Sequence, residues 1–328
     1  MSMTNQKYAL FTNDVETTSI WFNTLRDKTG YKVWQEGLPA LLDLYDRYNI
    51  QTTFFFTGYI ARLYPGVVKM VAERGHEIGN HSWSHKKEDG HDVTGPKKQT
   101  RFLRDTKHLL EDLSGQQVIS FRAPALRVNQ YTAAALIETG HKIDSSVPSQ
   151  RFDFFLSFGS RKKLRWLRSP RLPYRTDSHD LTRKGKSPLI EVPLSANILP
   201  YVGTTMRIFP IITHMQKHFH HQETRFNNKP VVFNIHPNEF IDESHEQRTI
   251  ARRRQNPLAH LLQDVVRSGL KAKNLGPHAI PLYEEQLSFF KKRNYHFRSV
   301  RRYCEELEML RSSLQVKELR NVVEKLRS

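Results

Sequence analysis

Gly75-His76-Glu77-Ile78-Gly79-Asn80-His81-Ser82-Trp83-Ser84-His85 is the stretch on which the fold turns. A short strand signal, Glu77-Ile78-Gly79-Asn80, runs straight into two histidines four residues apart. On one helical turn, imidazoles at that spacing leave the same face and can close on one small ion. A borderline-soft divalent metal suits such a pair, given a third ligand from elsewhere and a position left open for water or substrate. The segment Ala9-Leu10-Phe11-Thr12-Asn13-Asp14-Val15-Glu16 offers that ligand, since an apolar run there ends in two acids. In a chain with 16 histidines one such spacing is expected by chance, so the remaining residues have to carry the argument.

Outward from this stretch a strand and helix rhythm appears. Residues 8 to 13 read as a buried first strand, with Asp14 and Glu16 at or just past its end. Helical spacing over 38–45 precedes an aromatic, β-branched strand over 51–57, and a helix over 64–75 leads to the quoted stretch. A helix over 100–113 then precedes a strand over 118–121 that ends on Arg122-Ala123-Pro124. A helix over 131–139 stops at Gly140 before Asp144-Ser145-Ser146. Residues 189–194 return to strand, and Val231-Val232-Phe233-Asn234-Ile235 delivers His236. A helix over 283–292 and a strand over 294–300 complete the series. Strand after strand finishes on a polar residue, and in α/β barrels that edge carries the chemistry.

Composition sets the outer limits. The 328 residues suffice for one large α/β domain. Lys and Arg number 51 against 33 acids, a formal charge of +18 that favours an anionic partner such as a phosphate-bearing substrate or lipid headgroups. Cys304 is the single cysteine, so no internal disulfide is expected. The first residues lack the apolar core of a signal peptide, and no stretch has the run of about 18 apolar residues of a membrane span. These features lead us to expect a cytoplasmic protein, at most peripheral at the inner membrane face. The basic run from Arg161 to Arg171, with Trp166 inside it, is the candidate contact with an anionic membrane surface. No helix-turn-helix, zinc-finger or RNA-binding signature occurs, so no nucleic acid is expected as partner.

Several of these motifs resemble those of the polysaccharide deacetylases, the NodB-homology group of carbohydrate esterase family 4. His81-Ser82-Trp83-Ser84-His85 is similar to the family's zinc-binding His-Ser/Thr-x-x-His, and Arg122-Ala123-Pro124 to its Arg-x-Pro. Asn234-Ile235-His236 resembles its late Leu-x-His without the leading Leu, and Asp144-Ser145-Ser146 the segment after a glycine-ended helix. By order of elements the likeness runs from residue 8 to residue 303. It implies a deformed (β/α)7-type barrel over 1–303, with loop insertions near 151–180 and 245–280. The charged amphipathic helix over 304–328 would cap the barrel or meet a partner.

The resemblance also implies an activity, namely metal-dependent removal of an N-acyl group, in the first place N-acetyl, from an amino sugar. The substrate would be a glycan precursor, nucleotide-linked or lipid-linked. Glu16, His81 and His85 would hold a divalent metal, zinc by default. Asp14 would be the base, His236 the acid, Arg122 the cation that keeps Asp14 ionised, and Asp144 a supporting group or a turn residue. The family's common form has two adjacent Asp residues, whereas this chain reads Asn13-Asp14-Val15-Glu16. One register makes Asp14 the base and Glu16 the ligand; the other makes Asp14 the ligand and leaves Asn13 at the base position. A deformylase on a lipid-linked amino sugar would use the same groups. A non-catalytic basic carbohydrate or nucleic-acid binder on the same barrel is the alternative from another class.

Overall fold

The computed structural model of the chain describes residues 6–151, 161–248, 266–310 and 312. Its main sheet comprises β1 (Tyr8–Val15), β2 (Thr53–Phe56), β3 (Glu77–Asn80), β4 (Ser120–Phe121), β5 (Ile143–Asp144), β6 (Tyr174–Arg175), β7 (Ile190–Glu191), β8 (Val231–Ile235) and β9 (His296–Phe297). The strand order is β8-β1-β2-β3-β4-β5-β7-β6, with β9 also pairing β1. All pairings are parallel except that of β6 with β7. The sheet curls until the segment after β7 meets β8, where Ser195 N donates to Val232 O at 3.0 Å and Val232 N donates to Ser195 Oγ at 2.9 Å. Closure through a few bonds rather than a full ladder is what deforms the barrel. Around it pack α1 (Leu38–Tyr48), α2 (Gly66–Glu73), α3 (Pro96–Ser114), α4 (Thr132–Glu138), α5 (Pro210–Asn227) and α6 (Ala279–Lys291).

Side chains of a strand alternate between its faces, and β1 shows what that alternation does. Ala9, Phe11 and Val15 join the core between sheet and helices, while Tyr8 and Leu10 fill the barrel interior with Phe55, Ile143, Val192 and Val232. Thr12, Asp14 and Glu16 continue the parity of Tyr8 and Leu10, so the apolar filling gives way to polar groups at the barrel mouth. Asn13 points the other way: its Nδ2 donates to Thr53 O at 3.1 Å and its Oδ1 accepts from Tyr45 Oη at 2.7 Å.

The opposite end of the barrel is plugged by a helix over residues 300–310. Val300 N donates to Thr53 Oγ1 at 2.8 Å and Arg301 N to Glu77 Oε2 at 3.0 Å, so buried side chains from β2 and β3 satisfy the helix's first amides. Val300, Tyr303 and Cys304 are buried beneath the strands. This helix begins before residue 304 and shortens the expected strand over 294–300 to β9, while most of the expected helix over 304–328, residues 311 and 313–328, lies outside the described residues. The basic run is another difference. Arg161–Arg168 forms a 3-10 helix in which Trp166 is buried and packs in an interior cluster, so Trp166 is not a surface group for lipid. Much of both expected insertions, residues 152–160 and 249–265, lies outside the described residues.

Phe233 of β8 joins sheet and helix layer. It stacks on Phe11 at 5.3 Å, meets Tyr201 edge-on at 4.6 Å and lies 5.7 Å from Tyr283. Phe233→Ala is expected to cost about 3–5 kcal/mol, read as a lower midpoint in urea unfolding; an unchanged midpoint would show that this aromatic junction does not hold the layers together.

Candidate active site

The mouth of the barrel gathers polar groups from five strand ends. Asp14, 4% exposed, accepts from Arg122 Nη1 at 3.0 Å and from Asn234 Nδ2 at 2.7 Å. Burial would raise its pKa, but the Arg122 guanidinium, His81, His236 and the Asn234 hydrogen bond outweigh burial and hold the carboxyl at about 2. Glu16 stands two residues on, on the same face; it accepts from Thr18 Oγ1 at 2.9 Å, and its Oε2 lies 3.2 Å from His85 Nε2. Burial pushes its carboxyl pKa up. Asn13, turned into the helix layer, is absent from this mouth.

The two histidines of the opening stretch do meet, with ring centroids 5.7 Å apart, but no helical turn brings them together. Residues 81–86 are a loop leaving β3, in which Ser82 takes a positive φ of 59°. That left-handed step is stabilised by Ser82 N donating to Asn80 Oδ1 at 2.8 Å and by Gly58 N donating to Ser82 O at 2.9 Å. His81 is fully buried, and its Nδ1 lies 2.7 Å from the main-chain oxygen of Arg122. A carbonyl only accepts, so Nδ1 carries the proton and Nε2 presents a lone pair. That Nε2 is buried without a hydrogen-bond partner, 3.9 Å from Asp14 Oδ2. Burial lowers the pKa of His81 and of His85 to about 4, so both rings are neutral.

His236 is built for the opposite charge. Burial would lower its pKa, yet the hydrogen bond to Glu239 and the charges of Asp14, Glu239 and Glu16 raise it to about 9. Its Nδ1 is 3.1 Å from Glu239 Oε1, and its Nε2 faces Asp14 Oδ2 at 3.7 Å and Glu16 Oε1 at 4.0 Å. Glu239, itself fully buried, accepts from Arg207 Nε at 2.5 Å, and Arg207 Nη1 donates to the main-chain oxygens of Lys271 and Lys273 at 2.6 and 2.8 Å. This support requires a glycine opposite, because a Cβ at Gly203 would sit 2.4 Å from Glu239 Oε1. The sequence reading missed Glu239, Arg207 and Asn234. His236-Pro237-Asn238-Glu239 has the three-residue spacing of a capping box, which could have pointed to Glu239; nothing local points to Arg207.

Asp144 is not among the groups at the mouth. It accepts from Ser146 Oγ at 2.6 Å, Ser146 Oγ in turn accepts from Ala123 N at 2.8 Å, and burial raises the Asp144 pKa. Beside the mouth lies a cavity of about 150 Å³ lined in part by Glu16, Tyr59, His85 and Lys86. A wider groove of about 680 Å³ follows the chain from Ala125 to Tyr131 and reaches Trp166 and Asp180.

The donors fit a divalent cation in kind: two neutral imidazoles, one with an orphaned buried Nε2, beside a carboxylate. Among the described residues no group of three or more His, Cys, Asp or Glu forms a ready-made cage. The donors stand instead in pairs, His85 with Glu16 and His81 with Asp14.

The mouth thus brings two neutral imidazoles, two acids and a supported imidazolium together at the strand ends. The polysaccharide deacetylase family model matches residues 19–143. The chain is 26% identical over 162 residues to a peptidoglycan deacetylase of Helicobacter pylori, covering 48% of this chain and 52% of that one. Over 50 residues it is 44% identical to a peptidoglycan-N-acetylglucosamine deacetylase of Bacillus cereus, covering 15% of this chain and 18% of that one. The chain thus spans about half the length, or less, of these curated relatives. A Mycobacterium smegmatis structure assigned as a polysaccharide deacetylase shares the fold with a TM-score of 0.62 at 18% identity, over 95% of this chain and 93% of that one.

The His236 environment carries a pH signature. Its folded pKa lies above the ordinary 6.5, so the stability it contributes is fully present below pH 6.5 and is lost as pH rises through about 9. In metal-free protein, the parent is expected to lose about 2–3 kcal/mol relative to His236→Gln across that window. Urea midpoints taken at each pH measure it; parallel curves would mean that His236 is not held as an imidazolium.

Proposed function

We propose that the chain is a metal-dependent amide hydrolase that removes an N-acyl group, in the first place N-acetyl, from an amino sugar. The observation that carries this reading is the pairing at the mouth of an ionised Asp14 with a protonated His236, 3.7 Å apart, beside the unpartnered Nε2 of His81. Such a pair holds one group ready to accept a proton and another ready to give one. His81, His85 and Glu16 would hold the cation, zinc by its donor set. When bound, it would polarise the acyl carbonyl and acidify a water.

The chain's own residues supply the proton transfers. Asp14 Oδ2, the oxygen that faces His81 and His236, takes the proton of the attacking water. Arg122 keeps Asp14 ionised and fixes its orientation. His236 Nε2 delivers a proton to the departing amine, while Glu239 and Arg207 hold its ring from behind. Acetate and the free amino sugar are the products. The groove from Ala125 to Tyr131, with an exposed Tyr131, suits the body of a glycan. The formal charge of +18 supports a substrate that carries phosphate, a nucleotide-linked or lipid-linked precursor at the cytoplasmic face of the membrane.

His81→Ala and His85→Ala are expected to lose bound metal and turnover together, by metal analysis and by acetate release from N-acetylglucosamine oligomers. Asp14→Asn and His236→Ala are expected to keep the metal and lose about 10²–10⁴-fold in rate. Acetate release by metal-stripped protein, or by Asp14→Asn at the parent rate, would overturn the assignment.

A further inference from the structure

Helix α5 carries its polarity the reverse way for a helix packed on a sheet. Its buried residues are Thr213, Gln216, Lys217, His220 and Thr224. They are held by specific partners: Gln216 Nε2 donates to Asn197 Oδ1 at 2.9 Å and Leu199 O at 2.8 Å, Lys217 pairs with Glu285, and Thr224 Oγ1 donates to Lys229 O at 2.8 Å. His220 Nδ1 lies 3.4 Å from Glu223. The outward face carries Ile211, Met215, Phe219 and Phe226, exposed by 78%, 67%, 49% and 92%. At 3.6 residues per turn these four fall within about 80° of arc, with the exposed Gln222 as the polar residue among them.

An apolar stripe of this extent, left uncovered by the described residues, marks an interaction surface. Its rim is cationic. The Arg171 guanidinium lies 5.8 Å from the Phe219 ring and is anchored by Glu223, and the exposed Arg225 flanks the same helix face. We propose that this face docks on an anionic lipid bilayer, with the stripe in the boundary between headgroups and acyl chains and the arginines on the headgroups. No described helix is long and apolar enough to cross a membrane, so α5 lies in the plane of the surface. A second copy of the chain is the poorer occupant, since each would bring a formal charge of +18 to the contact.

Docking has a positional consequence. The short helix Gly203–Ile208 directly precedes α5 and contains Arg207, which holds Glu239 behind His236. The bilayer would therefore lie beside the support of the catalytic acid. The proposal stands on the surface alone and does not rest on the hydrolytic reading.

Co-sedimentation of the full chain with vesicles tests it without any substrate. Retention is expected on phosphatidylcholine vesicles containing phosphatidylglycerol at low salt, falling on neutral phosphatidylcholine and at high salt. Ile211→Gln/Met215→Gln/Phe219→Gln is expected to weaken retention more than about tenfold with an unchanged unfolding midpoint. Should that midpoint fall, Met215→Glu alone carries the same expectation. Failure of the parent to bind, equal binding by a folded variant, or a parent dimer that the variant dissolves without vesicle binding would each overturn the proposal.

Discussion

A guanidinium buried at the centre of the barrel mouth is the constraint on which the rest depends. Arg122 is fully buried, and a charge in that position is tolerated only when its donors are met. Its side chain reaches Thr12 Oγ1 at 2.7 Å and Asp14 at 3.0 Å on β1, Asn234 Oδ1 at 2.7 Å on β8, and Ser145 O and Oγ at 2.9 Å just past β5. Beneath it the Phe55 ring of β2 lies 4.5 Å away. Four strand ends are thereby drawn to one point. The main-chain oxygen of the same residue fixes the tautomer of His81, so one residue sets both the charge of Asp14 and the lone pair of a neighbouring imidazole.

From that point the three site histidines divide by environment. At His81 and His85 burial outweighs the nearby carboxylates and both rings stay neutral, whereas His236 is backed by Glu239 and faces two acids. The difference is produced behind the ring rather than in front of it. Arg207 keeps Glu239 ionised, Glu239 holds the His236 Nδ1, and Gly203 leaves the room that this carboxylate needs. Neutral rings suit ligands and a charged ring suits a proton donor, so identical side chains are separated by their second neighbours.

Much of this was legible in the chain because it is local. The bounds of β3 and β8 follow from composition, and the acids at the end of β1 follow from an apolar run that stops. Parity along β1 also bears on the two registers left open by Asn13-Asp14-Val15-Glu16. Residues two apart share a face, so Asp14 and Glu16 enter the mouth together while Asn13 bonds Tyr45 outside it. What was not legible depends on distant partners. Arg207 and Glu239 are separated by a helix and a strand, and only the fold makes them neighbours. The spacing of His81 and His85 suggested a helical turn, because equal spacing cannot separate a turn of helix from a loop whose bend comes from Ser82. Trp166 looked like a surface aromatic because its neighbours are basic, yet a 3-10 helix turns it inward and turns Arg165 and Arg168 outward.

Helix α5 shows why patterning alone cannot assign a helix face to the core. Its amphipathic period is present, but the apolar side has no place under it, since the layer between α5 and the sheet is occupied by Tyr201 and Tyr295 and by the Lys229 and Glu223 pair. Buried polar contacts add little net stability compared with apolar packing, but they are directional and leave a helix few orientations. Gln216 and Lys217 therefore hold α5 in register while its hydrophobic side remains uncommitted. A helix anchored by hydrogen bonds and ion pairs can meet an apolar phase without giving up contacts that the barrel needs. The barrel is plugged at its other end by the helix over residues 300–310, so the mouth and the α5 flank are left for engaging what lies outside.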